Sequence, residues 1–159
     1  MSGHPTELLN ERMLKILHEE DTGVICLHDD PTPYAVPVSY AIIDGQIVIH
    51  GSLKSRKMDL IRNDGRTSFV VSRHPDSVKH HPEGACVYQY ESVIAFGFAR
   101  VVDDVSKRLG LLQKFKLYFD TKLGLDAKAN PISEAGAARC GCIVIEIEKL
   151  TGRTTVTEA

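Results

Sequence analysis

Ser52, Lys54, Ser55, Arg56 and Lys57 crowd into the start of the run GSLKSRKMDLIRNDG (residues 51–65). The run reads as a short helix with serines at its entrance and a glycine after its last turn. Its cations sit where the helix macrodipole is already positive, an arrangement that favours a bound anion. Backbone N–H groups free at a helix start, a hydroxyl from Ser52 or Ser55, the fork of Arg56 and the point charge of Lys57 together make a phosphate cradle. The competing reading is a solvated basic face partly offset by Asp59 and Asp64. His50 precedes the run. With an ordinary pKa of about 6.5 it is a candidate catalytic proton carrier, or else a strand-end histidine that caps a carbonyl.

The elements around these residues decide what they can reach. In YAVPVSYAII, Tyr34, Val36, Val38, Tyr40 and Ile42 share one face at period two, with Ala35, Ser39 and Ala41 opposite. Asp44-Gly45 is a two-residue hairpin signal, and Gln46 to His50 runs back as a second strand. The hairpin brings Ser39, Tyr40 and His50 to the end where the basic helix begins. Pro37 cannot donate to a ladder, so it marks an edge, a bulge or a place where the sheet is open to another molecule. A phosphate-tailed cofactor fits this layout, its tail at the helix and its ring along the hairpin.

Before the hairpin, Pro5 to Glu19 has helical spacing of Leu9, Met13, Ile16 and Leu17, with Thr6 as a cap, and Val24 to Leu27 is a short strand. After it come a strand over Arg66 to His74, a polar loop, and one long or two consecutive strands over Ala85 to Val102 with Gly97 as a kink. Asp103-Asp104 then caps a long helix whose stripe is Val105, Leu109, Leu112, Phe115 or Lys116, and Phe119. A loop with one helical turn and a last strand, CIVIEIEKL, close the chain. Hairpins plus a late long-range strand imply a mainly β, antiparallel barrel with flanking helices.

Composition sets the outer limits. The chain of 159 residues has the apolar (43%) and charged (25%) fractions of an ordinary globular domain, and residues 1–159 are expected to form one. A net charge of −2 gives no whole-molecule attraction to nucleic acid or anionic membrane, so an anion site must be local. No apolar run reaches membrane-span length, and the amphipathic, charged N-terminus is unlike a secretory signal, so a cytoplasmic protein is expected. The four cysteines, Cys26, Cys86, Cys140 and Cys142, are read as mostly reduced thiols, with Cys140-Gly-Cys142 a weaker redox or metal pair.

Residues 33–71 resemble the flavin-binding core of the pyridoxamine-phosphate-oxidase-like split-barrel superfamily, and within it the nitroimidazole-resistance branch. YESVIAFGFARVVDD (90–104), NPISEAG (130–136) and IVIEIEKLTGR (143–153) resemble that branch in the same order. The resemblance implies a six-stranded antiparallel split barrel and a homodimer that binds FMN at its interface. Ser55, Arg56 and Lys57 match the phosphate segment, and Pro37, Val38, Ser39 and Tyr40 the strand along the flavin ring. His50 and Gly51 match the end of the next strand. Tyr90, Glu91 and Ser92 match a segment that reaches the flavin from the partner subunit. It also implies an FMN-dependent oxidoreductase of nitroaromatic-reductase type, with a small-molecule substrate and a reductant. One departure is that GRTTV (152–156) lacks the aromatic residue common after this turn. Competing expectations are a deazaflavin in place of FMN, haem on His50, His74, His80 or His81, and, behind these, zinc from the His80–His81 loop with Cys86.

Overall fold

The computed structural model describes residues 6–74, 79–80, 86–87 and 89–156. Along the chain these form β1 (Thr6–Glu7), α1 (Asn10–Glu19), β2 (Thr22–Leu27), β3 (Tyr34–Ile43), β4 (Gln46–Ser52), α2 (Arg56–Asn63) and β5 (Arg66–Arg73). There follow β6 (Lys79–His80), β7 (Cys86–Val87), β8 (Glu91–Val101), α3 (Val105–Leu123), α4 (Glu134–Arg139) and β9 (Cys140–Thr154). The strands β9, β4, β3, β2, β5 and β8 lie side by side in that order, and β8 pairs back onto β9 to close an antiparallel barrel. This is the split barrel with flanking helices that the sequence led us to expect.

Closure removes the sheet edges that an open antiparallel sheet would expose. It depends on β9 bending from β4 to β8. The bend sits where Phe96 pairs with Lys149 but Gly97 pairs with Ile147, leaving Glu148 as the extra residue of a bulge. A Cβ on residue 97 would lie 1.9 Å from the Glu146 carbonyl oxygen, so the strands approach this closely only at glycine. The β3–β4 hairpin turns at Asp44 (φ 51°) and Gly45 (φ 75°), the paired left-handed conformations of a tight hairpin.

The barrel interior holds Tyr40, Ile47, Ile49, Phe69, Val93, Ile143 and Ile145. One helix plugs it with Met13, Ile16 and Leu17 of α1, another with Met58 and Ile61 of α2. A second core lies outside, where Phe115 of α3 packs on Ala41, Ile43, Val48, Cys142 and Val144. Asp104 caps α3, accepting from the Lys107 amide at 2.7 Å.

Two local expectations need correction. Helix α1 begins at Asn10, because Thr6 is drawn into pairing with Thr154 and so cannot cap it. The buried stripe of α3 includes Arg108, Leu112 and Phe115, while Val105 is 40% exposed at the first turn. The segment after Ala85 forms two consecutive strands, β7 and β8, one of the two arrangements expected. No helix among the described residues is long and apolar enough to cross a membrane.

Candidate functional site

β3 and β4 pair only from Tyr40–Ile49 to the turn at Ile43–Gln46. Beyond that point they part. Tyr34 to Ser39 continue against β2 alone, and His50, Gly51 and Ser52 continue against Cys142, Gly141 and Cys140 of β9. Pro37 lies in the unaccompanied part of β3, so the missing N–H falls where no β4 partner exists. The sheet is therefore split beside Pro37, Val38 and Ser39. Pro37 and Ser39 are exposed on the outer face, the same face that carries His50.

The chain then turns from β4 into α2 at this split. Ser55 N donates to the Ser52 carbonyl at 3.1 Å, and Lys54 N donates to Ser52 Oγ at 3.3 Å. Ser55 occupies the N-cap of α2 in extended conformation, yet its side chain caps no amide. Its Oγ is buried with no hydrogen-bond partner among the described residues. A buried hydroxyl left without a partner costs about 1–3 kcal/mol, so this oxygen suits a ligand atom beside the free amides of the first turn. The residues thus fit a phosphate group.

The cations are placed unequally. Arg56 pairs with Asp29 from the loop before β3, and its guanidinium lies 5.9 Å from the Tyr34 ring centroid. Lys57 reaches over Gly51, where an added Cβ would stand 3.2 Å from Nζ, and it forms no ion pair among the described residues. The proposed offset by Asp64 does not occur: that carboxylate binds Arg66 at 2.6 Å, and these bonds hold its pKa down to about 2. Asp29, which no motif signalled, is the counter-ion of the cluster.

His50 stands edge-on to Phe115 of α3, ring centroids 4.7 Å apart at 85°. Its Nδ1 is 3.9 Å from Cys140 Sγ. Burial first, and the charge of Lys57 second, push its pKa below the ordinary 6.5. The neutral ring therefore prevails at neutral pH.

Several expected site residues place their side chains away from the cradle. The Tyr40 side chain is fully buried, and its hydroxyl donates to the Leu17 carbonyl at 2.8 Å. Period two sends it into the barrel, so only its backbone borders the split, and it cannot form an apolar wall for a ligand. Val38 also points inward, against the core. Glu91 is 2% exposed and gripped by Arg12 and Arg73, which makes it part of the barrel's framework. Tyr90 is tied through its amide to Thr155 Oγ at 3.0 Å, and Ser92 is half-buried on the outer face. Ser52 pairs with Cys140 at one end of β9, while Glu91 pairs with Thr154 at the other. A single protomer thus does not bring Tyr90–Ser92 to the Ser55–Lys57 cradle.

A cavity of about 580 Å³ lies beside Ser92, Ile94, Arg153 and Met13, and another of about 670 Å³ between the β3–β4 turn and α3. Neither is lined by Ser55, Arg56 or Lys57. Among the described residues no group of His, Cys, Asp or Glu is arranged to hold a metal. His74 Nδ1 lies 3.4 Å from the Gln89 carbonyl oxygen. His81 and the side chains of His80 and Cys86 lie outside the described residues.

Residues 10–154 match the pyridoxamine 5'-phosphate oxidase family. The chain belongs to this family. No curated protein matches it in sequence. Among solved structures it is similar to a proposed 5-nitroimidazole antibiotic resistance protein from Bacteroides thetaiotaomicron, at 12% identity and a TM-score of 0.79 over 95% of this chain and 87% of that one. It is similar to a FAD-binding protein from Mesorhizobium loti at 20% identity and a TM-score of 0.69, covering 94% and 97% of the two chains. The FAD and haem binding protein of Mycobacterium smegmatis matches at 20% identity and a TM-score of 0.75, over 94% and 72%. At these identities the likeness is one of fold.

Proposed function

We propose that this chain is an FMN-dependent oxidoreductase, working as a homodimer on nitroimidazole or other nitroaromatic acceptors. The observation that carries the reading is the partnerless, buried Ser55 Oγ at the N-terminus of α2, beside Lys57 and the split between β3 and β4. Ser55, the amides of the first turn, Lys57, and Arg56 once exchanged from Asp29 would hold the phosphate. The open edge at Pro37, Val38 and Ser39 offers main-chain groups to the ring, with Gly51 leaving room beside Lys57. When bound, the flavin supplies hydride or single-electron chemistry. His50, neutral at rest, relays a proton at Nδ1 or Nε2 and does not store one.

The dimer reading rests on the uncovered face. Among the described residues, α1 and α2 bury their side chains in the barrel and α3 covers the β3–β4–β9 side. The outer face of β2, β5 and β8 is left with Phe96 at 41% and Phe98 at 42% exposure. A twofold dimer through this face would seat one protomer's Tyr90–Ser92 segment near its partner's cradle. The same reading takes residues 1–159 as one cytoplasmic domain.

The test is a visible absorption spectrum after gel filtration with added FMN, repeated with FAD, a deazaflavin and haem. Flavin bands that travel with the protein support the reading, and nitroaromatic reduction is then assayed. A Soret band or deazaflavin-only binding would replace it, and a colourless protein that takes up none of the four would reduce the cradle to a solvated basic face.

A further inference from the structure

Among the described residues, Arg108 is a buried cation without an anion. It is 5% exposed; Nη1 donates to the Cys140 carbonyl and Nη2 to the Asp103 carbonyl, both at 3.3 Å, while Nε has no partner. No carboxylate pairs with it among the described residues; the Asp103 side chain binds Arg62 at 2.9 Å instead. A guanidinium out of water and matched only by long bonds to carbonyls is costly, unless negative charge develops nearby when the protein works.

The group nearby that can acquire such charge is a thiol. Cys140, whose carbonyl Arg108 holds, is partly exposed, and its Sγ lies 3.9 Å from His50 Nδ1. Among the described residues the sulfur otherwise makes weak contacts to the Gly51 and Gly141 carbonyl oxygens, at 3.7 and 3.6 Å. Lys57 stands over Gly51 on the adjacent strand. Cys142, two residues on, is fully buried, and burial pushes its thiol up to about 11 against the opposing pull of the Arg108 charge, so it stays protonated and out of reach. A partly exposed thiol beside a base and cations is the environment in which cysteines react.

We propose that Cys140 is a peroxide-reactive thiol, with His50 taking its proton and buried Arg108 stabilising the anionic sulfur. Sγ–H gives its proton to His50 Nδ1, and the sulfur attacks one oxygen of a hydroperoxide. A sulfur–oxygen bond forms as the oxygen–oxygen bond breaks. The leaving oxygen takes the proton from His50 and departs as water or an alcohol. Sulfur is oxidised by two electrons to the sulfenic acid, and the peroxide is reduced by two. The step needs no flavin.

The test treats the full chain with hydrogen peroxide and a sulfenic-acid-trapping diketone, and reads each cysteine by peptide mass. Native Cys140 is expected to be modified at least tenfold faster than the same residue in the urea-unfolded chain, with Cys142 untouched on that timescale. His50→Gln, at an exposed position, is expected to remove most of that acceleration, as is Arg108→Met where circular dichroism shows it folded. A native rate at or below the unfolded rate overturns the proposal, as does an unchanged rate in His50→Gln. An unchanged rate in folded Arg108→Met overturns the part given to Arg108.

Discussion

Arg12 forks across Glu91, with Nε 2.8 Å from Oε1 and Nη2 3.0 Å from Oε2, and Arg73 adds its own Nε at 2.7 Å. This carboxylate joins α1, β5 and β8 at one end of the barrel, and Arg73 extends the network to Glu19 at 2.5 Å. Burial alone would raise the Glu91 pKa, but the bonds from Arg12 and Arg73 outweigh it and leave it below the ordinary carboxylate value. Glu91→Gln keeps the shape but takes the anion from Arg12 and from one side of Arg73, which keeps Glu19, so it is expected to cost about 1.5–3 kcal/mol in urea unfolding. Because the folded pKa is depressed, Glu91 contributes full stability above the unfolded carboxylate value of about 4.5 and loses it as pH falls through the folded one. Wild type is therefore expected to lose stability in that window more steeply than Glu91→Gln. Parallel slopes would remove the network from the account.

Ser55→Ala separates binding from folding. The hydroxyl has no partner to lose, so thermal stability is expected to be unchanged or slightly raised. FMN affinity is expected to fall about tenfold, the worth of one hydrogen bond to a charged group. Arg56→Ala with Lys57→Ala should abolish flavin retention on gel filtration while circular dichroism stays that of the wild type. Full flavin occupancy in that double variant would end the phosphate assignment.

Tyr40→Phe tests the opposite case, a residue whose side chain left the site. Removing the hydroxyl strands the buried Leu17 carbonyl, and the expected loss is about 1–3 kcal/mol in chemical unfolding. Flavin affinity is expected to stay within twofold of wild type. A large affinity loss at unchanged stability would return Tyr40 to the cofactor's wall.

Legibility in the sequence followed the range of the interactions. The hairpin at Asp44-Gly45 and the Asp104 cap are local, and both are readable; Gly97 reads only as a kink, whereas what requires glycine there is the Glu146 carbonyl oxygen on β9, a long-range approach. Period two also assigned Tyr40 to the face of Tyr34, Val36 and Val38, which in the closed barrel is the inside. Nothing in the string says which face closure buries, and so the sequence alone sets Tyr40 along a ligand. The Asp29–Arg56 pair, the Arg12–Glu91–Arg73 network and the Cys140–His50 contact join residues from 18 to 90 positions apart. They arise from the barrel's register, which no spacing pattern encodes.

Phe96→Asp tests how the site is completed. Phe96 stands 41% exposed on the outer face of β8, beside a hollow that Cys26 and Ser68 also line. A charge there meets water in the free protomer and so should leave the melt nearly unchanged, but it meets apolar surface if two such faces join. Light scattering is expected to show a dimer for wild type and a monomer for the variant. Because Tyr90–Ser92 and the cradle lie at opposite ends of β9, separating the protomers is expected to lower FMN affinity at least tenfold without touching Ser55, Arg56 or Lys57. A variant that stays dimeric with full affinity would move the interface to another face. A monomer that still binds FMN tightly would mean that one protomer holds the cofactor alone.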